Sequence, residues 1–181
     1  MNLQQSAQVL VPIACEGLLV SIGYTPKKHA PIDLGPLLAR PEDYAAGIID
    51  FSGHELSGSV MLLSHFQFFA ATLPEAGRSR PTRQLAADRL RVRDLAMELS
   101  NQLLGRIKNQ LYRRGVVLEP TLPHAVSGDA IRVVVRERKQ TPYVYVAAGH
   151  QVFVWFEANS KTAMSIIPAS DLVAEGDYVE F

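Results

Sequence analysis

Apolar side chains recur every three or four residues along the middle of the chain, which is the spacing of an amphipathic helix. They are Leu95, Leu99, Leu103, Leu104, Ile107 and Leu111. The pattern predicts a long helix that begins between residues 82 and 90 and runs to about Arg114, before a stop at Gly115. Two further helices are predicted over residues 3–22, where Pro12 allows a kink, and over residues 65–73.

Runs rich in Val, Ile, Tyr, Phe and Trp predict strands on both sides of the long helix. The predicted strands are residues 45–51, 58–63, 130–138, 143–148 and 151–157. The first two are joined by a hairpin-type connection, and the last two by a turn at residues 148–150. The remaining segments are predicted to be irregular or extended: 23–42, which holds four prolines, the polar linker 75–82, and 116–126.

This order of elements predicts an α+β fold, a two-layer domain with an antiparallel-rich sheet and long helices packed on one side. The sequence contains neither the alternating strands and helices of a doubly wound sheet nor a glycine-rich phosphate loop. Residues 1–158 are expected to form this single domain, followed by a C-terminal extension at 159–181. Within the extension, a helical turn is predicted at 171–175 and a short extended end at 178–181.

Composition and charge exclude several classes of partner. Lys plus Arg equals Asp plus Glu at 18 each, so no net field favours nucleic acid or an anionic membrane. The arginines between residues 78 and 93 lack interleaved aromatic side chains. The apolar stretch 9–22 is shorter than the roughly 20 residues that span a bilayer. With no signal peptide recognised, the chain is expected to be cytoplasmic, with neither a nucleic-acid nor a membrane partner.

The side chains that usually carry metal or nucleophilic chemistry form no pattern. Cys15 stands alone in an apolar helical context, which predicts a small buried hydrophobe. The five histidines are scattered, with no two at metal-ligand spacing, so no metal site is expected. Ser100 and Ser127 lack a nearby histidine and aspartate of the kind that activates a nucleophilic serine.

A polar stripe lies on the long helix, opposite the leucines. Glu98 is followed by Asn101 three residues on and by Gly105 four residues beyond that, and this spacing stacks them on one face. Asparagine and glycine are poor helix formers, and glycine costs roughly 1 kcal/mol relative to alanine, so helix stability does not account for them. The stripe is therefore predicted to be exposed and to meet a partner. The alternative is an ordinary solvated helix face.

Residues 98–101, Glu-Leu-Ser-Asn, with Gly105 and Lys108 after them, resemble the motif helix of the CheC/CheX chemotaxis phosphatases, and CheX-like proteins in particular. Residues 48–60 are similar to the first strand pair of that family, and residues 122–128 to the segment that follows its helix. The resemblance covers residues 45–158. It implies a phosphatase that accelerates hydrolysis of the aspartyl-phosphate of a CheY-like response regulator in chemotaxis or two-component signalling.

The resemblance also implies a role for each motif residue. Glu98 and Asn101 would be the catalytic pair, with Glu98 engaging the receiver's lysine and Asn101 orienting the attacking water. Gly105 would bind the partner by letting its backbone approach closely. The partner would be the phosphorylated CheY-like regulator, which would bring its own Mg²⁺, and the chain itself would need no cofactor.

Several alternatives stay open. CheC-type members carry a second Glu-x-x-Asn on the first helix, whereas this chain has Glu16-Gly-Leu-Leu19 there, so at most one site is expected. A non-catalytic CheX-like module that binds or localises a response regulator fits the same motif. A structural part of the flagellar switch is disfavoured, because residues 159–181 are too few for the appended domain. A homodimer is predicted through the apolar strands at 143–157, whose edge would otherwise be unpaired.

Overall fold

The structure, a computed structural model, describes residues 3–30, 33–73 and 85–160, and for 3–8 and 85–87 it describes the backbone only. The linker predicted at 75–82 lies outside these residues. So do the two elements predicted within 159–181 and three of the arginines, Arg78, Arg80 and Arg83. The boundary expected at residue 158 accordingly stays a prediction.

Seven antiparallel strands form one sheet in the described residues, and five α-helices pack on it. In chain order the elements are α1 (Leu3–Ser21), β1 (Lys27–His29), α2 (Gly35–Ala39), β2 (Tyr44–Ser52), β3 (Leu56–His65), α3 (Phe66–Thr72), α4 (Leu85–Tyr112), β4 (Glu119–Pro120), β5 (His124–Ser127), α5 (Ala130–Arg136), β6 (Tyr143–Ala147) and β7 (His150–Ser160). A single 3₁₀ turn, Pro41–Asp43, precedes β2.

The strand order is β1-β6-β7-β3-β2-β4, and β5 pairs with β2 beside β4. Both predicted hairpins are confirmed: β2 pairs with β3, and β6 pairs with β7. Ala148 and Gly149 connect β6 to β7 with φ angles of 52° and 75°. Two consecutive positive φ angles are the signature of the tight turn that matches the twist of a hairpin, and glycine adopts such angles without strain.

The predicted α+β fold is confirmed, and the two long helices lie on the same face of the sheet. α1, α3 and α4 bury their apolar sides in one large cluster against the sheet. A smaller cluster lies on the other face, where Leu37 of α2 and Ile131 of α5 pack with Met61 and Trp155. The sequence did not predict this second layer of short helices.

The prediction of a strand at 130–138 is wrong, because residues 130–136 form α5. The β-branched run at 133–135 favoured a strand. In the fold, Gly128 adopts a φ of 62° and accepts a hydrogen bond from Ile131, which starts a helical turn. Ile131 and Val135 then lie four residues apart on the face that packs on the sheet, and both are buried. Tertiary burial outweighs local propensity here.

The segment 23–42 is also more regular than predicted, since it contains β1 and α2. β1 pairs with Val144, Tyr145 and Val146 and so covers the outer edge of β6, while β7 lies between β6 and β3. The argument that these strands leave an unpaired apolar edge is therefore wrong. The homodimer itself stays a prediction. Among the helices in the described ranges, none is long and apolar enough to cross a membrane.

Candidate functional site

The sheet determines which side of α4 faces outward. A Cβ atom at Gly47 of β2 would overlap the carbonyl oxygen of Ala96 and the hydroxyl of Ser100 on α4. The helix can therefore rest directly on the strand only because three small residues meet there. The buried Ser100 hydroxyl donates to the Ala96 carbonyl at 2.9 Å and needs no other partner. With Ala96 and Ser100 against β2, the opposite side of the helix is turned away from the sheet.

Glu98 and Asn101 are both exposed on that outward side, as the sequence predicted. Leu99, Leu103 and Ile107 are buried in the large cluster, and the less buried Leu95 packs against it. The positions of the motif residues are thus confirmed, whereas their chemical roles stay predictions.

The Glu98 carboxylate is held by a neighbour that sequence analysis did not assign to the site. Gln102 Nε2 donates to Glu98 Oε1 at 2.8 Å across one helical turn. The second carboxylate oxygen accepts no hydrogen bond from the described residues, so it remains available to an incoming donor. The i, i+4 spacing of a glutamate and a glutamine is a signal that the sequence already contained.

The surface beside this carboxylate is open. The Asn101 amide makes no hydrogen bond to any residue in the described ranges, and a Cβ at Gly105 would have no atom within 4 Å. The helix backbone at Gly105 is therefore uncovered one turn beyond Asn101. A free amide, a free carboxylate oxygen and a bare backbone on one helix face can together bind a charged partner and orient a water molecule.

The corresponding region of α1 lacks such a site. Glu16 is exposed, but Leu19, where a second asparagine would stand, is 2% exposed and belongs to the core. The outward neighbours of Glu16 are Ile13 and Val20, which are 51% and 61% exposed. The expectation of at most one Glu-x-x-Asn site therefore has a structural reason, because position 19 does not face outward.

Three other side chains with reactive groups pack against neighbouring residues: Cys15, His65 and His150. Cys15 is buried as predicted, and burial raises the pKa of its thiol from 9.0 to about 12, so the thiol stays protonated at neutral pH. His65 and His150 stack with ring centroids 5.7 Å apart, a pairing that the sequence did not reveal because the residues lie on different strands. Partial burial lowers the pKa of His65. Within the described ranges no cluster of three His, Cys, Asp or Glu residues could hold a metal ion.

Two arginines near the start of α4 contact the domain itself. The Arg89 guanidinium lies 5.8 Å from the ring centroid of Phe66, and Arg93 Nη2 donates to the Ala125 carbonyl at 3.4 Å. These contacts attach the first turns of α4 to α3 and β5. They agree with the expectation that this basic segment includes the start of a helix.

The fold matches that of CheX chemotaxis proteins. CheX from Vibrio vulnificus superposes with a TM-score of 0.57 at 16% identity, over 81% of this chain and 94% of that one. CheX from Desulfovibrio desulfuricans gives a TM-score of 0.57 at 14% identity, over 86% and 98% of the two chains. A chain of the CheX–CheY–BeF₃–Mg²⁺ complex from Borrelia burgdorferi gives 0.56 at 13% identity, over 80% and 90%.

At these identities the likeness establishes the fold, and at that level it confirms the resemblance to the CheC/CheX group. No protein-family model matches the sequence, and no curated protein matches it either.

Proposed function

We propose that this chain accelerates hydrolysis of the aspartyl-phosphate of a CheY-like response regulator. The observation that carries the proposal is the unobstructed exposure of Glu98 and Asn101 at the middle of α4, on a CheX fold. One chain of the CheX–CheY complex from Borrelia burgdorferi has the same fold, which supports a receiver domain as the partner. Such a reaction belongs to the cytoplasm, where response regulators act.

Glu98 would hold the partner. Its free oxygen can accept a charge-assisted hydrogen bond from a lysine ammonium, while the hydrogen bond from Gln102 limits the rotation of the carboxylate. A carboxylate that is already oriented loses less side-chain entropy when the partner arrives. Gly105 would let the partner's backbone approach the helix, since no side chain or neighbouring atom occupies that space.

Asn101 would position the attacking water. Its Oδ1 can accept from one O–H of the water, which directs the lone pair of the water oxygen toward the phosphorus atom. The water oxygen bonds to phosphorus as the P–O bond to the partner's aspartate breaks. The aspartate leaves as a carboxylate, and both protons of the water stay on the inorganic phosphate that is released. Hydrolysis of this kind needs positioning and charge stabilisation more than covalent help. The amide neither gains nor loses a proton, and the Mg²⁺ that supports the phosphoryl charge would be bound by the receiver.

The test is single-turnover decay of phosphorylated receivers from the source organism, measured over rising concentrations of this protein. Wild type is expected to speed the decay of at least one receiver to a saturating rate. The double variant Glu98→Ala/Asn101→Ala should not accelerate the decay. Its fold should be unaffected, because both side chains are exposed. Glu137→Ala, which removes an exposed acid on the other side of the sheet, is the matched control and should behave as wild type.

A parallel titration with a receiver bound to beryllium fluoride distinguishes a phosphatase from a non-catalytic binding module. If wild type saturates with a receiver bound to beryllium fluoride but never changes the decay rate of its phosphorylated form, the chain is a binding module. If it neither binds nor accelerates any receiver, the proposed function is wrong.

A further inference from the structure

The outward side of α4 carries a straight line of residues that extends well beyond the catalytic pair. Steps of three and four residues keep successive members on one helix face, and eleven residues make just over three full turns. The members of this outer stripe are Leu90, Asp94, Glu98, Asn101, Gly105, Lys108 and Tyr112. Leu90 and Tyr112 are 60% and 66% exposed, and each lies eleven residues from Asn101.

The side-chain charges of the outer stripe change sign along α4. Within the outer stripe, Asp94 and Glu98 place two carboxylates before Asn101, with Arg91 and Arg93 nearby, and Lys108 places a cation after Gly105. The helix dipole does not explain this arrangement, because its influence is confined to the first and last turns. Glu98 lies in the middle of the helix, and the last turn holds no basic residue. A polar stripe of this kind complements a surface with a cation at one end and an anion at the other.

Lys108 and Tyr112 are free to make such a contact. Lys108 forms no ion pair with any residue in the described part of the chain, although its side chain is half-buried against the helix surface. Tyr112 is a largely exposed aromatic residue in the last turn of α4, and aromatic residues are enriched where proteins meet. Lys108 and Tyr112 therefore place a cation and, one turn later, an exposed aromatic ring on the outer stripe.

The size of the catalytic pair also requires more contact area. Two side chains are far fewer than the roughly 20–30 residues that each partner contributes to a standard protein–protein interface. The outer stripe from Leu90 to Tyr112 is roughly 33 Å long, which is about the width of a small domain. A partner centred on Asn101 therefore extends over Gly105 and reaches Lys108, which lies about 10 Å farther along the axis.

We propose that Lys108 and Tyr112 form a second contact for the phosphorylated receiver and select receivers with a carboxylate about 10 Å from the phosphoryl group. The inference rests on the proposed function, which supplies the partner centred on Asn101. Lys108 pairs with that carboxylate, and Tyr112 packs on apolar surface beyond it. Because Glu98 and Lys108 carry opposite charges on either side of Asn101, a receiver docked the other way round meets two like-charged contacts.

The experiment compares Lys108→Glu and Tyr112→Ala with matched controls on the opposite face of the sheet. Arg136→Glu reverses another exposed cation, and Val133→Ala removes another exposed apolar side chain. Each variant is titrated against the receiver that wild type binds most tightly. Affinity is measured with the receiver bound to beryllium fluoride, and the maximal rate is measured by single-turnover decay.

Lys108→Glu is expected to raise the dissociation constant roughly tenfold at low salt and less at high salt, since screening weakens exposed pairs. Tyr112→Ala is expected to raise it roughly tenfold at every salt concentration, as loss of an aromatic interface contact does. Neither should change the maximal decay rate, and both controls should match wild type. If both variants bind as wild type does while wild type accelerates decay, this inference is wrong and the proposed function stands. If wild type binds no receiver, both are wrong.

Discussion

The two long helices pack on the same face of the sheet, yet the surfaces that they turn outward differ: that of α4 is polar and that of α1 is largely apolar. α4 turns a line of acid, amide, glycine and cation outward. α1 turns outward Val9, Ile13 and Val20, which are 50%, 51% and 61% exposed, with Glu16 between them. Both helices bury their inner sides in the same cluster. Burial in a common core therefore constrains only the inner half of each helix and leaves the outer half free to carry function.

The comparison also explains why the Glu-x-x-Asn pattern belongs to one helix only. On α4 the core-facing positions are Ala96, Ser100 and Leu103, so Asn101 points away from the sheet. On α1 the core-facing residues include Leu18 and Leu19, so the position three residues after Glu16 is inside. Spacing in sequence is the same on both helices, but the rotation of each helix about its axis decides which residues a partner can reach.

The largest effect is expected from restoring the motif on α1. Leu19→Asn completes Glu-x-x-Asn in the sequence but buries an amide in an apolar cluster, which should lower the free energy of unfolding by roughly 3–5 kcal/mol. Urea denaturation measures the loss. In an Asn101→Ala background the change should restore no phosphatase activity. Recovered activity would mean that α1 can rotate and that the contrast between the two helices is not fixed by the core.

Asn101→Ala tests whether α4 is the catalytic helix. Removing a group that acts mainly in the transition state should lower the maximal decay rate about 100- to 1,000-fold. The half-saturating concentration should stay within about threefold of wild type. Asn159→Ala removes an exposed asparagine near the end of β7 and is the control. Equal rates for Asn101→Ala and wild type would contradict the role assigned to this amide.

Glu98→Ala is expected to act on binding. Loss of one charge-assisted hydrogen bond of about 1.5–3 kcal/mol should raise the half-saturating concentration roughly ten- to a hundredfold, with a smaller change in maximal rate. Glu98→Lys should be worse, because two ammonium groups would meet. Glu16→Ala removes the exposed acid of α1 and should have no effect. A rate defect at saturating concentration in Glu98→Ala would show that the carboxylate takes part in the chemical step.

The glycines of the two long helices, Gly105 and Gly17, should respond alike in stability and differently in receiver binding. Gly105→Ala and Gly17→Ala should each stabilise the fold by up to about 1 kcal/mol, since alanine is the better helix former. A Cβ at Gly105 meets open space, and a Cβ at Gly17 meets only the flexible end of Arg106, at 3.2 Å. Thermal denaturation checks both. Gly105→Leu should weaken receiver binding and Gly17→Leu should not, unless the partner also covers α1.

The smallest effect is expected at Cys15, the buried thiol of α1. Burial raises the pKa of its thiol from 9.0 to about 12, so folding favours the protonated form. That contribution to stability is fully present below pH 9 and is lost as the pH rises toward 12. At pH 8 the folded protein should react with a thiol reagent far more slowly than the denatured protein. Fast labelling of the native state would place Cys15 at the surface.

The sequence predicted most of what depends on neighbours along the chain. The periodicity of α4, the strand hairpins and the exposure of Glu98 and Asn101 all follow from spacings of two to four residues, which backbone geometry converts directly into faces. The same reasoning failed at α5, where the β-branched run predicted a strand. It also failed at the edge of β6, which a segment more than 110 residues earlier in the chain covers.

The sequence by itself determined that α4 carries Glu98, Asn101 and Gly105 on the side opposite its leucines, because the period of a helix is a local property. Only the tertiary structure decided that Leu19 is buried and that α4 packs directly on β2 at Gly47. Those outcomes depend on which elements pack together and on how each helix is rotated against the sheet. Burial is a property of contacts between residues far apart in sequence, and no local spacing encodes it.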